Sequence, residues 1–360
     1  YPRKFENWQK YKYYRAIGYN INVKVIVSIR YSHCDLISSS AVIISDFCKV
    51  MFSKQLTSTL LKVSQGLHLQ NSSRVSEMVK AMSSYSSYKT LNVTVPKPFI
   101  YHVELNRPEK LNAFNETMWK EIGECFTSLG DQDDCRVVLL SGNGRLFTAG
   151  IDFNSMISLG QTLSEHEDVA RRCKILKNLI HKYQDSITSL EKCVKPVISL
   201  VHNACIGAGV DLITAADIRY CTEDAVFQVK EVGIGMAADV GTLQRLPRVV
   251  GSTSLINELA FTARKMLAPE AKECGLVNRV YKDKESMISE ALQIAEDISK
   301  KSPVAVQSTK RSLIFSRDHS VQESLNHIAD WNQTMLQSED FMNASVAEAT
   351  KSPAPVFAKL

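Results

Sequence analysis

The stretch Cys205–Gly241 reads CIGAGVDLITAADIRYCTEDAVFQVKEVGIGMAADVG, and three of its six carboxylates, Asp211, Glu231 and Asp239, are candidates for chemistry. Asp211 follows the small-residue turn Gly207-Ala208-Gly209, while Glu231 and Asp239 have apolar or small neighbours from Val232 to Val240. A carboxylate in such company is paired, shifted in pKa, or used to move protons. A second small-residue turn, Phe147-Thr148-Ala149-Gly150-Ile151-Asp152, also follows an apolar run and also leads to an acid. Backbone N–H groups converging from the two turns would stabilise a developing oxyanion, each by about 2.7–4 kcal/mol in a dry site. Carboxylates beside an oxyanion hole suit the formation of an enolate from a thioester. Taken singly, each acid has a plainer reading: Asp211 as a helix-start residue, Glu231 as a strand-end charge, Asp239 as the N-cap of a helix beginning near Gly241.

Other chemistries find little support. No G-x-S-x-G elbow, H-E-x-x-H or P-loop motif occurs, and the eight histidines are dispersed. Gly233-Ile-Gly235-Met-Ala-Ala238 fits the loose G-x-G-x-x-A dinucleotide fingerprint, but it lies deep in the chain and Asp239 would face a pyrophosphate. The nine cysteines form no C-x-x-C pair and read as reduced thiols, with no metal site expected. No apolar run reaches the roughly 20 residues needed to span a bilayer. Residues 1–90 hold 13 Lys/Arg against 4 Asp/Glu, and residues 91–360 hold 30 against 34. The basic excess therefore belongs to the leading segment, and nucleic acid is not an expected partner of the rest.

The elements that must position these turns are legible from periodicity. Ile100–Leu105 reads as a strand, and Asn115 reads as the start of a helix whose face is Phe114, Met118, Ile122 and Phe126. Arg136–Leu140 is a short buried strand, 169–190 a helix, and Pro196–His202 a strand that runs into the glycine turn. Past Asp239 the pattern is helical at 253–264, 269–274, 285–300, 303–315 and 320–341. Strands alternating with helices before a helical tail give an α/β core with an α-helical C-terminal cap.

Residues 1–50 form a leader of uncertain role. Residues 51–95 have the composition of a transit peptide followed by a Ser- and Tyr-containing linker. The core is expected over 96–255, the helical region over 256–345, and an exposed tail over 346–360. Ala358-Lys359-Leu360 resembles the Ser-Lys-Leu address read by the peroxisomal import receptor.

FTAGIDF, CIGAGVDL and FQVKEVGIGMAADVGTLQRLP, together with NRPEKLNAF at Asn106–Phe114, resemble the crotonase (enoyl-CoA hydratase/isomerase) superfamily over about Phe99 to Ser338. The resemblance implies a crotonase-like ββα superhelix with an α-helical C-terminal trimerisation region, an acyl-CoA thioester substrate, and homotrimers or hexamers. It implies no cofactor, the CoA being part of the substrate. By position it places the oxyanion-hole amides at Ile151 and Ala208, with Ala149, Gly150, Ile151, Asp152, Phe153 and Gly209 lining the thioester site. Ala208 departs from the glycine usual in the family. Hydratases carry glutamates where Asp211 and Glu231 stand, and usually glycine where Asp239 stands. The trio implies isomerisation of 3,5-dienoyl-CoA to 2,4-dienoyl-CoA in fatty acid β-oxidation, with Glu231 acting at C2, Asp239 at C6 and Asp211 tuning the site. A 2-enoyl-CoA hydratase or enoyl-CoA isomerase of the same fold is the alternative, and a noncatalytic binding protein the distant one. The expected compartment is the peroxisome, the mitochondrion, or both.

Overall fold

The computed structural model describes residues 88–360. The expectations for the leader and the transit peptide fall outside these residues. The chain runs β1 (Leu91–Lys97), β2 (Ile100–Leu105), α1 (Glu116–Gly130), β3 (Val137–Gly142), α2 (Phe153–Ser164) and α3 (Val169–Lys192). It continues with β4 (Val197–Val201), β5 (Ala204–Ile206), α4 (Ala208–Ala215), β6 (Ile218–Thr222), β7 (Val226–Gln228) and α5 (Thr242–Val249). Next come α6 (Thr253–Thr262), β8 (Met266–Leu267), α7 (Ala268–Glu273), β9 (Arg279–Tyr281) and α8 (Lys284–Ser299). Helices α9 (Pro303–Phe315), α10 (Val321–Met335) and α11 (Glu339–Thr350) complete it.

Six strands form one sheet in the order β1-β2-β3-β4-β6-β9, parallel except for the antiparallel pair β1/β2. A smaller sheet has the order β5-β7-β8. The central strands are apolar along their length because both faces of a parallel sheet are covered. In β3, Val138 and Leu140 join the core under α1 and α3, whereas Val137 and Leu139 meet Met287, Ala291 and Ala295 of α8.

Several sequence boundaries required correction. Residues 91–97 are an edge strand and not part of a linker; Leu91 is buried, with Val93 and Val95 packed against the core. Proline is tolerated there at Pro96 because an edge strand has a free side. The single helix expected over 320–341 is two helices, since the Ser338 side chain accepts a hydrogen bond from the Phe341 amide and begins α11. Most residues of the tail are exposed, Val356 fully so, but the backbone of its last residues is held. Arg136 donates to the carbonyls of Phe357 (2.7 Å) and Ala358 (2.9 Å), and Lys195 donates to that of Leu360 (2.9 Å). Lys359 pairs with Asp134 at 2.6 Å. Arg136 and Lys195 are both buried, and the tail carbonyls partner charges that would be costly to leave alone.

Candidate active site

The two small-residue turns lie side by side because the segments leading into them pair. Thr148 bridges Cys205 in parallel: the Thr148 amide donates to Ala204 O (3.0 Å) and the Ile206 amide to Thr148 O (3.2 Å). Gly150 has φ +92, and a Cβ added there would lie 2.9 Å from the Ile206 carbonyl oxygen. Only glycine lets the first turn come this close to the second.

Among the described residues, the Ile151 amide and the first amide of α4, that of Ala208, enter no backbone hydrogen bond. The Phe114 amide donates to Gly150 O (2.7 Å) and the Asp152 amide to Phe114 O (2.9 Å), so the bridge uses the groups flanking Ile151. Ala208 opens α4, where the first amides have no carbonyl one turn back to receive them. The position that demands glycine is Gly207, with φ +51, and not Ala208, which lacks a positive φ. The alanine that departs from the family pattern is therefore accommodated: its methyl group sits on ordinary helical backbone.

A strap beneath the first turn holds it in place. Leu111 and Asn112 both have positive φ, near 52 and 51, and such strain persists only where the surroundings over-determine it. Leu111 O accepts the Ala149 amide at 2.9 Å. Asn112 O accepts the Thr148 hydroxyl at 2.7 Å, and that hydroxyl oxygen accepts the Gly150 amide at 3.1 Å. The Asn112 side-chain amide donates to the carbonyls of Asn143, Leu146 and Phe147. Asp152 is engaged on both sides: it pairs with Arg107 at 3.0 Å and caps α2 through the Asn154 amide. Phe153 begins α2 and is largely exposed. Gly209 faces inward, and a Cβ there would lie 2.4 Å from Thr148 Cγ2. Its contribution is close packing of α4 on the first turn.

The acids occupy three different supports. Glu231 starts a short 3-10 turn, Glu231–Ile234, just after β7. Its Oε1 sits over Gly207, where an added Cβ would lie 3.2 Å away. Its Oε2 is buried and meets no hydrogen-bond donor among the described residues. Burial raises the Glu231 pKa, and the nearby charge of Asp239 adds to the rise. Asp239 is half-buried in an irregular run and its pKa is also raised by burial. Asp211, on α4, is 2% exposed, and its pKa is pushed up to about 7 by burial and then by Glu231. Its Oδ1 accepts the Thr242 amide at 2.5 Å, at the start of α5. The cap of that helix is thus Asp211 acting from a distance, and Asp239 does not fill that role.

The rival dinucleotide reading fails on geometry. The fingerprint glycines fall in the 3-10 turn and at Gly235, and the next helix starts only at Thr242.

The model of the family described as Enoyl-CoA hydratase/isomerase matches residues 97–352. The chain belongs to this family. It is 56% identical over 258 residues to the Homo sapiens protein named Delta(3,5)-Delta(2,4)-dienoyl-CoA isomerase, mitochondrial, covering 72% of this chain and 78% of that one. It is 45% identical over 276 residues to the Arabidopsis thaliana protein named Delta(3,5)-Delta(2,4)-dienoyl-CoA isomerase, peroxisomal, covering 76% of this chain and 99% of that one. The crystal structure of enoyl-CoA hydratase from Bacillus anthracis superposes with a TM-score of 0.67 at 24% identity, covering 75% of this chain and 99% of that one, and shows the shared fold. The chain therefore has the α/β crotonase fold expected from its motifs.

Within this enoyl-CoA hydratase/isomerase chain, the motif residues from the two turns and the acids Asp211 and Glu231 come together around Gly207. Three supporting residues escaped the sequence reading: Arg107, Asn112 and Gln184. The first two lie inside NRPEKLNAF, a motif that carried the family resemblance without revealing what its residues touch. Gln184 lies in α3 and gave no signal beyond the helical period.

Proposed function

We propose that this chain isomerises 3,5-dienoyl-CoA to 2,4-dienoyl-CoA, drawing one proton from C2 and delivering one to C6. The observation that carries the reading is the Glu231 carboxylate. It lies over the Gly207 turn with one buried oxygen lacking a donor, and a second carboxyl, Asp239, sits close enough to raise its pKa. A hydratase needs acid and base beside one water; moving two double bonds needs two separated proton groups along the chain. The names of the relatives at 45–56% identity agree with the isomerase.

In this mechanism the thioester oxygen rests on the Ile151 and Ala208 amides. Glu231 takes the C2 proton and charge spreads through the diene onto that oxygen, where the two N–H groups stabilise it. Asp239, whose pKa burial raises, gives a proton to C6 and the double bonds settle into conjugation with the carbonyl. Asp211 fixes the Thr242 amide, and the Glu231 charge beside it adds to the rise that burial gives its pKa. Ala149, Gly150 and Phe153 frame the thioester, while Asp152 and Gly209 hold that frame from behind. The only coenzyme the reaction requires is the CoA carried by the substrate.

The protein works as a homotrimer or hexamer, in the mitochondrion, the peroxisome or both. Import through Ala358-Lys359-Leu360 requires the tail to leave Arg136 and Lys195.

The test is to supply purified protein with 3,5-dienoyl-CoA and follow absorbance of the conjugated 2,4-dienoyl product. Hydration of a 2-enoyl-CoA without isomerisation of the dienoyl substrate would select the hydratase reading instead.

A further inference from the structure

Asp239 lies in Met236–Val240, a run that belongs to no helix or strand, so regular backbone does not set where its carboxyl points. The ends of the run are tied down. The Met236 amide donates to Glu231 O at 3.1 Å, and the Thr242 amide donates to Asp211. The middle is held from α3, where the Gln184 side-chain amide donates to the Asp239 carbonyl at 2.7 Å. That carbonyl can only accept, which settles which end of the Gln184 amide faces it. The other end, Oε1, meets His181 Nδ1 at 3.2 Å.

Gln184 is the first rung of a ladder. Thr188 and Glu191 follow at helical spacing on the same face of α3. Both receive Arg245 of α5: Nη2 donates to Thr188 Oγ1 at 2.9 Å, and Nε and Nη2 reach Glu191 Oε2 at 2.9 and 2.8 Å. The second Glu191 oxygen takes Arg317 at 2.8 Å, so the carboxylate is fixed from two sides. The Arg245 guanidinium lies against the Gly241 Cα, where an added Cβ would be only 1.9 Å from Nη1. One face of α3 thus grips the chain at 239 directly and at 241–245 through Arg245. Next to Gln184, Tyr183 stacks on Trp119 of α1 at 4.5 Å, which fixes α3 on the core.

We infer that Gln184, with Thr188 and Glu191 behind it, is the positioning device that aims Asp239 at the distal end of the diene, separately from the support of Glu231. Glu231 follows β7, Ala208 opens α4 and Ile151 bridges Phe114, and none of the ladder's side-chain bonds reaches these groups. The inference rests on the reading that Asp239 serves C6. It makes the two proton steps separable by substitutions outside the acids.

The experiment uses the full chain in D2O with 3,5-dienoyl-CoA. Mass spectrometry follows exchange of the C2 hydrogens, and absorbance follows 2,4-dienoyl product. Gln184→Met keeps the length of the side chain and removes the donor. It should slow isomerisation by about tenfold or more, the scale of one lost hydrogen bond at a working site, while C2 exchange stays within about threefold of the unaltered protein. Thr188→Val, which only loosens Arg245, should move the same ratio in the same direction by less. A parallel fall of both rates, or no change in either, overturns the ladder. Asp239→Asn separates the failures. If it isomerises normally, the reading of Asp239 is at fault; if it is inactive while Gln184→Met is unimpaired, only the ladder is.

Discussion

Gly150→Ala puts the oxyanion hole to the test without touching an acid. The backbone at Gly150 has φ +92, which an L-residue adopts only at a cost of about 1–3 kcal/mol. The new Cβ would also meet the Ile206 carbonyl oxygen at 2.9 Å and its carbon at 3.4 Å. Both atoms are backbone, so no rotamer change relieves the contact. The two turns must separate by roughly half an ångström to restore ordinary packing. That movement takes the Ile151 amide away from the Ala208 amide, and misplacing one oxyanion donor typically costs about 10²–10³ in kcat. No other side chain changes, so KM should change little while kcat collapses. Steady-state kinetics on 3,5-dienoyl-CoA measures both. Gly160→Ala is the control: it lies in α2 with nothing within 4 Å of an added Cβ, and should leave kcat unchanged. A Gly150→Ala protein with kcat within about twofold of the control would refute the claim that these turns build the hole.

Glu231→Gln and Asp239→Asn should each lower isomerisation by at least about 10²-fold, the usual contribution of a general acid or base, measured with the same substrate. The pKa of Asp211 is raised in the folded state from 3.8 to about 7, so the folded protein holds this proton more tightly than the unfolded chain. Its contribution to stability is therefore full below pH 3.8 and is lost as pH rises through about 7. Thermal unfolding across that window should show Asp211→Asn with a flatter fall in Tm than the unaltered protein. Arg107 and Asp152 form a nearly buried pair with 13% and 12% side-chain exposure. Arg107→Met or Asp152→Asn alone should destabilise by about 3 kcal/mol, and the double variant by less than the sum, as measured by denaturant unfolding.

The sequence carried the parts whose signal is local. The Phe114, Met118, Ile122 and Phe126 face is fully buried, and Asn115 caps α1 through the Met118 amide. The glycine turns were visible because a close approach of backbones needs glycine, and Gly150 and Gly207 have the positive φ to show for it. What stayed hidden was held together across the chain. That Asp211 caps α5 depends on a contact between residues 31 positions apart, and no spacing rule reports it. The break between α10 and α11 was missed because both helices keep an apolar period through Leu336, and only the Ser338 cap separates them. The contacts of the tail's backbone stayed hidden because its prolines and terminal position say nothing of Arg136 and Lys195, whose burial calls for partners. Ala208 looked like the weak point of the motif. The left-handed backbone lies one residue earlier, at Gly207.

The central claim is that two carboxyls, and not one, move the protons between C2 and C6. Turnover of 3,5-dienoyl-CoA in D2O, with the product's label located by position, tests this most directly. Asp239 exchanges its proton with solvent before the substrate binds, so the account predicts one deuterium at C6 of the 2,4-dienoyl product. Protium carried over from C2 to C6 would mean a single carboxylate does both jobs, and would contradict the roles given to Glu231 and Asp239.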